Sequence, residues 1–357
     1  MLKKYVDSKE LMKVHNIIGL SVALIKNGQI QSIENEGLME AGTDKIVHNN
    51  SVFNACSISK FLTALVALKL TEEDRLDLDE DINKGLRSWK IPTSNLAGEK
   101  KMTLRNLLIH QSGVVDPEGS FTELIPETGF PSMSEILNGS TPYCKTPIQI
   151  QYEPESDFHY SDAGFCIIQQ LIEDVTGGPF EKTVEELIFE PLQMTNSTFL
   201  QTEETVENFV SGHNKDGTAV NGKFPVYPYP AASGLWTTSS DLSKLLIELM
   251  DALNNKSRIG ISAANAHEMI SEQGSKSWTG LGVFLDGSNK ELQISSLGWG
   301  VGFQSMMLAY PQLGSGLIIM TNTDSGVHQL KGIIGEIYHS LKPWLTSTHD
   351  KGSETYE

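Results

Sequence analysis

Long apolar runs, cysteine and positive charge are all scarce in this sequence, and each scarcity closes off a class of function. No stretch approaches the roughly 18 consecutive apolar residues that a membrane-crossing helix needs. The longest candidate, Ile17 to Ile25, has the length of a strand. Three cysteines, Cys56, Cys144 and Cys166, form no C-x-x-C pair, so neither a disulfide scaffold nor a zinc ribbon is supported and the thiols read as reduced. The 27 Lys and Arg residues face 45 Asp and Glu, a net charge of −18, and a pI near 4.9 means that the protein repels polyanions. Nucleic acid and anionic membrane surfaces are therefore poor partners, and neither is expected.

Several catalytic signatures are missing as well. There is no G-x-S-x-G nucleophile elbow and no G-x-x-x-x-G-K-[ST] phosphate loop. His267-Glu268 begins like a zinc-protease helix, but position 271 is Ser where the second histidine would stand. Asp77, Asp79 and Asp81 begin like a calcium loop, yet Ile82 takes the glycine position and Ser88 the bidentate glutamate position, so the run reads as a solvated helix end. Neither a metal nor an organic cofactor is implied. Met1 to Lys13 is charged and no apolar leader region follows it, so a soluble cytoplasmic protein is expected, although a leader already removed would leave the same sequence.

What is present is an ordinary globular composition, 39% hydrophobic and 20% charged, in a chain of 357 residues that exceeds the usual single core. Ile18, Leu20, Val22 and Leu24 alternate, and Asn27-Gly28 offers a hairpin turn before Ile30 and Ile33, so the chain is expected to open with antiparallel strands. From Ser57 onward Phe61, Leu62, Leu65, Leu68 and Leu70 take helical spacing. Further helical patterns cover Leu104 to His110, Gly164 to Val175, Phe180 to Leu187 and Asp241 to Leu253, the last introduced by a capping sequence from Thr238. Phe303 to Ala309 and Gly316 to Thr321 read as strands joined by the Pro311 to Gly314 turn, before a final helix from about Val327 to Leu341. Strands at both ends and helices between them predict an α+β fold: one antiparallel sheet built by both chain ends, with an inserted helical lobe and a cleft between. The boundaries are a single domain over 1–345, with a sheet lobe at about 1–60 and 285–345, a helical lobe at about 61–284, and a flexible tail over 346–357.

Ser57-Ile58-Ser59-Lys60 places a hydroxyl and an amine one helical turn apart on the same face. Serine is a weak nucleophile until a base takes its proton, and N–H groups at a helix start can hold an oxyanion. Tyr160-Ser161-Asp162 ahead of a helix and Gly298-Trp299-Gly300 ahead of an apolar strand supply two further elements. With these, and with Leu107 to Gly113, Val175 to Phe180, Glu190 to Met194, Ser211-Gly212-His213 and Ser233 to Thr238, the chain resembles the serine β-lactamase and penicillin-binding-protein superfamily. It is most similar to the branch of class C β-lactamases, D-alanyl-D-alanine carboxypeptidases, D-aminopeptidases and esterases.

The resemblance, which runs from about Ile18 to Tyr338, implies a β-lactamase/transpeptidase-like fold and a serine hydrolase. It implies Ser57 as the acylated nucleophile, Lys60 as its proton partner and Tyr160 as a second base, with Asp162, Ser296, Gly298, Trp299 and Gly300 at the substrate. Two positions depart from the family pattern. Asp162 stands where the family usually has Asn; a carboxylate only accepts and favours the charged form of a nearby lysine, so Tyr160 rather than free Lys60 is expected to be the main base. The third element has no Lys or His, and its register is either Gly298-Trp299-Gly300 or Ser296-Leu297-Gly298. Without that cation a substrate carboxylate is poorly served, and a neutral ester or amide packed against Trp299 is expected, a small molecule or peptide. His110 is read as fixing a turn, His159 as pointing away from Tyr160, and Cys56 as a small core residue. Trp236 and Tyr227 either pack or wall the cleft. The alternative to an enzyme is an acyl-accepting sensor with little turnover. Nothing fixes an oligomeric state.

Overall fold

The computed structural model describes residues 1–92, 94, 100–200 and 207–347. In chain order the strands are β1 (Gly19–Lys26), β2 (Gln29–Gly37), β3 (Phe53–Asn54), β4 (Thr198–Phe199), β5 (Leu235–Thr237), β6 (Thr279–Gly280), β7 (Val283–Asp286), β8 (Gln293–Gly300), β9 (Phe303–Tyr310) and β10 (Ser315–Thr321). Seven of them form one antiparallel sheet in the order β2-β1-β10-β9-β8-β7-β6, and β3-β5-β4 form a small second sheet. The two ends of the chain meet where β1 pairs with β10, from Leu20 opposite Thr321 to Ile25 opposite Gly316. Asn27 and Gly28, at φ 53° and 68°, make the tight turn between β1 and β2 that such a two-residue hairpin requires.

Alternation along the strands divides the core into two layers. Leu20, Val22, Leu24, Leu317 and Ile319 pack outward against the C-terminal helix, while Ala23, Ile25, Met307, Ile318 and Met320 face the larger inner core. The long helices are α1 (Ser8–His15), α2 (Ser59–Glu72), α3 (Asp162–Thr176), α4 (Ser239–Leu253) and α5 (Ile333–Thr346). From Ser59 to Leu68 every residue of α2 is buried. A helix apolar on all sides has no solvent face, and α2 accordingly runs through the middle of the inner core with Lys60 enclosed in it.

Three expectations need correction. A helix, α1, precedes the first strand; it is capped by Asp7, whose side chain accepts from the Glu10 N–H, and it is amphipathic, burying Ser8 and Met12 and packing Leu11 against the outer core layer. The first long helix proper starts at Ser59, because Cys56–Ile58 form a tighter 3-10 turn. The last helix starts at Ile333 and not at Val327: Gln329–Lys331 form a separate 3-10 turn and Gly332, at φ −113° and ψ −162°, is extended and breaks the run. Strands β6 and β7, short and glycine-flanked, extend the sheet beyond what the pattern indicated. The expected flexible tail falls mostly on 348–357, outside the described residues, while Thr346 still belongs to α5.

Thr238 begins α4 as the pattern predicts, its Oγ1 accepting the Asp241 N–H at 3.1 Å. Thr238→Ala removes this cap and is expected to lower the unfolding free energy by about 1 kcal/mol, read as a lower urea midpoint at unchanged m-value.

Candidate active site

Asn54 ends β3 and turns the chain toward α2, its Oδ1 accepting the Cys56 N–H at 2.7 Å. Cys56 takes φ 50°, a left-handed conformation unusual for a residue with a side chain. Strain of this kind gathers at functional turns, and here it sits immediately before Ser57. Ser59 locks the turn: its hydroxyl donates to the Cys56 carbonyl at 2.6 Å and accepts the Leu235 N–H at 3.0 Å.

One turn on, the Lys60 Nζ donates to Ser57 Oγ at 3.1 Å, to Asp162 Oδ1 at 2.5 Å and to the Ala232 carbonyl at 3.0 Å. The lysine side chain is 4% exposed. Burial by itself pulls its pKa down, but the Asp162 carboxylate and the Tyr160 phenol outweigh that and leave it above the ordinary lysine value. Lys60 is therefore an ammonium. Its Nζ lies 4.9 Å from the centre of the Tyr160 ring. Tyr160 is 41% exposed, yet its phenol is desolvated where it meets Ser57 and Lys60. That burial, opposed by the Lys60 charge and reinforced by Asp162, holds its pKa above the ordinary tyrosine value. Ser57, Lys60, Tyr160 and Asp162 thus converge on one site.

Behind Tyr160 lies His110, at φ 57°, its ring stacked on the phenol with centroids 4.4 Å apart. Its Nδ1 accepts the Ser161 N–H at 3.1 Å. Burial, with the Lys60 charge adding to it, drives the His110 pKa well down, so the ring is neutral. The position of α3 is set by a residue that motif reasoning missed. Asp116 accepts from the Ser161 hydroxyl at 2.8 Å, the Asp162 N–H at 2.9 Å and the Ala163 N–H at 2.9 Å. It thereby satisfies the otherwise orphaned donors at the start of α3. Burial and the nearby Asp162 raise the Asp116 pKa against the pull of these donors.

Strand β8 passes close to the Ser57 turn. A Cβ at Gly298 would stand 2.2 Å from the Ala55 carbonyl oxygen, and one at Gly300 would stand 2.8 Å from Cys56 Sγ, so both approaches require glycine. Ser296 and Leu297 line a narrow cavity with Ser57, Lys60, His110 and Tyr160. Trp299, 44% exposed, projects to a wider outer cleft that also reaches Ser57 and Asp162, and Gly300 lines the same cleft. Tyr227 belongs to that cleft wall and accepts the Val301 N–H at 2.9 Å, whereas Trp236 is buried among Phe209, Phe224 and Phe303.

The other candidates lie elsewhere. His159 stacks on Tyr152 at 4.3 Å. The Cys56 thiol is buried, which raises its pKa and keeps it protonated. Glu268 pairs with Arg105, as does Asp79 at 2.7 Å. Among the described residues no three His, Cys, Asp or Glu side chains are grouped to hold a metal, and no helix is long and apolar enough to cross a membrane.

Residues 8–334 match the family model described as Beta-lactamase. Protein flp of Staphylococcus aureus (strain NCTC 8325 / PS 47) is 26% identical over 326 residues, covering 88% of this chain and 61% of that protein. The chain therefore spans about three fifths of that relative's length. Teichoic acid D-alanine hydrolase of Staphylococcus aureus (strain MRSA252) is 22% identical over 233 residues, 64% of this chain and 53% of that protein. Among solved structures, the D-amino acid amidase from Ochrobactrum anthropi SV3 superposes with a TM-score of 0.77 at 22% identity, covering 96% of this chain and 99% of that one. The fold is β-lactamase/transpeptidase-like, as the resemblance implied, with the antiparallel sheet and flanking helices that the strand and helix patterns predicted.

Asp116→Asn replaces three acceptor contacts with an amide that must turn a donor toward one of them. Loss of one such charge-assisted bond is worth about 1.5–3 kcal/mol. The unfolding free energy is expected to fall by about that amount, read as a lower urea midpoint at unchanged m-value, and an unchanged midpoint would contradict a role in holding the start of α3.

Proposed function

The chain belongs to the β-lactamase family, a family of hydrolases, and on that premise we propose that it is a serine hydrolase working through an acyl-enzyme on Ser57. The observation that carries this reading is the Lys60 ammonium bridging Ser57 Oγ and Asp162 beside the Tyr160 phenol. The Ser57 oxygen attacks a carbonyl carbon, and the carbonyl oxygen becomes an oxyanion held by the backbone N–H groups of Ser57 and of β8. The serine proton passes to Tyr160 in its phenolate form, beside the Lys60 ammonium. Collapse of the oxyanion then breaks the bond to the leaving group, which departs with the proton that Tyr160 took from Ser57, and the phenolate is restored. Water repeats the sequence on the ester at Ser57 and frees the serine.

Lys60 cannot be the free base at neutral pH, since its proton is held by Asp162; its charge instead stabilises the Tyr160 phenolate as that forms. Of the two registers for the third element we favour Ser296-Leu297-Gly298, a reading supported by Ser296 lining the narrow cavity with Ser57 and by Gly298 backing onto the Ala55 carbonyl. No lysine or arginine among the described residues stands there to receive a carboxylate. The substrate is an ester, an amide or a D-amino-acid peptide rather than an efficiently hydrolysed β-lactam; the names of the amidase and of the D-alanine hydrolase agree in kind.

The strong Lys60–Asp162 pair favours one second reading, an acyl acceptor that releases its product slowly. Mass spectrometry after mixing with a fluorophosphonate and with a p-nitrophenyl ester separates the two. A fluorophosphonate adduct lost in Ser57→Ala, together with a transient ester adduct, is the expected result; a persistent ester adduct marks the acceptor. Tyr160→Phe should slow acylation by roughly 10²- to 10⁴-fold, and near-normal acylation in that variant would reassign the base.

The pH dependence follows from the raised pKa values of Lys60 and Tyr160. Both groups are protonated at neutrality, and losing a proton from the pair becomes easier as pH rises. The single-turnover acylation rate is expected to climb about tenfold per unit from about pH 6 to 9 without a plateau. A plateau starting near neutrality would reveal a base of depressed pKa.

A further inference from the structure

Two carboxylates line the outer cleft beside Ser57 with accepting capacity to spare. Glu123 is half-buried and has no hydrogen-bond or ion-pair partner among the described residues. Asp324 takes the Trp299 indole N–H at 2.9 Å and the Gly326 N–H at 2.8 Å, both on Oδ1, and its Oδ2 has no protein donor among the described residues. Much of the remaining wall is aromatic, from Phe121, Tyr227, Tyr229 and Trp299. No Lys or Arg among the described residues lines this cleft of about 330 Å³, and the nearby Lys60 charge is already balanced by Asp162.

Surplus carboxylate oxygens among aromatic faces are the environment that holds an ammonium, by charge-assisted hydrogen bonds and by cation–π attraction. The same surroundings repel a carboxylate. We infer that this cleft selects an acyl donor carrying a protonated amine close to the scissile carbonyl, with the ammonium between Glu123 and Asp324 and the carbon skeleton against the rings. Proximity to the scissile carbonyl follows because Ser57 opens onto the same cleft. The indole bond ties Trp299 to Asp324, so one wall and one charge move together. The inference rests on the serine-hydrolase reading above and narrows its substrate class.

The test compares alanyl p-nitroanilide, in both enantiomers, with lactoyl p-nitroanilide, in which a hydroxyl replaces the ammonium, at a pH about one unit below the amine's pKa of roughly 8. The readout is the ratio of kcat/KM for the two substrates, measured in the wild type, Glu123→Gln and Asp324→Asn. A ratio has no dependence on how much of each variant is folded. The better alanyl enantiomer is expected to lead by about tenfold or more, and each variant to lose about threefold or more of that lead. Lactoyl turnover at least equal to alanyl turnover, or a ratio unchanged in both variants, overturns the inference while leaving the hydrolase reading intact. Failure of Ser57 to label with a fluorophosphonate, with neither anilide cleaved, overturns both.

Discussion

The buried ammonium of Lys60 is the constraint on which the rest of the site depends. It has three hydrogens and three acceptors: Ser57 Oγ, Asp162 Oδ1 and the Ala232 carbonyl. Each comes from a different piece of backbone, namely the turn before α2, the first turn of α3 and the Pro230–Ser233 turn. Removing an ammonium from water costs several kcal/mol even after relaxation, so each acceptor must be held in place by something else. Ser59 locks the turn that carries Ser57, Asp116 locks the start of α3, and the Thr63 hydroxyl, donating to the Ala231 carbonyl at 2.8 Å, holds the third piece against α2. The charge thus fixes the mutual position of three segments far apart in the chain, and those same segments carry the proposed chemistry.

Two carboxyl groups at the head of one helix would repel each other in isolation. Here they divide the available positive charge. Asp162 turns its side chain to Lys60, while Asp116 faces the N–H groups of Asp162 and Ala163, where the helix end carries partial positive charge. The neutral His110 ring fills the space behind Tyr160 without adding a third charge, which its burial and Lys60 both disfavour. On the far side, the absence of side chains at Gly298 and Gly300 lets β8 approach within contact of Ala55 and Cys56. Electrostatics therefore sets one wall of the site and steric clearance the other.

How much of this was legible in the sequence depended on how local each feature is. The Ser57 and Lys60 pairing follows from helix geometry three residues apart, and the first hairpin follows from Asn27-Gly28 and the alternation around it. The closing of the sheet by both chain ends was legible because strand patterns stand at each end with helices between. Tyr160 and Asp162 were found only through the family resemblance, since nothing within the sequence joins position 60 to position 162. Asp116 lies just beyond the phrase Leu107 to Gly113 that carried part of that resemblance, and its contacts span some 45 residues, so no periodicity announces it. Glu123 and Asp324 were hidden for the same reason, among many acidic residues. Helix α1 spans only eight residues and its apolar positions stand among charged ones, so the charged N-terminal stretch hid it, and Tyr227 and Trp236, alike in composition terms, were separated only by which one β8 leaves at the cleft.

The two departures from the family pattern become intelligible together. A carboxylate at 162 in place of an amide adds a negative charge to the site, and the missing Lys or His of the third element takes a positive one away. Both changes move the site in the same direction. A site drifting out of use would be expected to lose its geometry along with its charges, yet the Ser57 to Lys60 contact stays at 3.1 Å and the clearance that Gly298 provides is filled to contact by its neighbours. The retained geometry and the shifted charge are most simply reconciled by a change in the charge of what is bound, not by a loss of binding. On that view the net charge of −18 acts in the same sense at long range, drawing cations toward the molecule before the cleft itself discriminates among them.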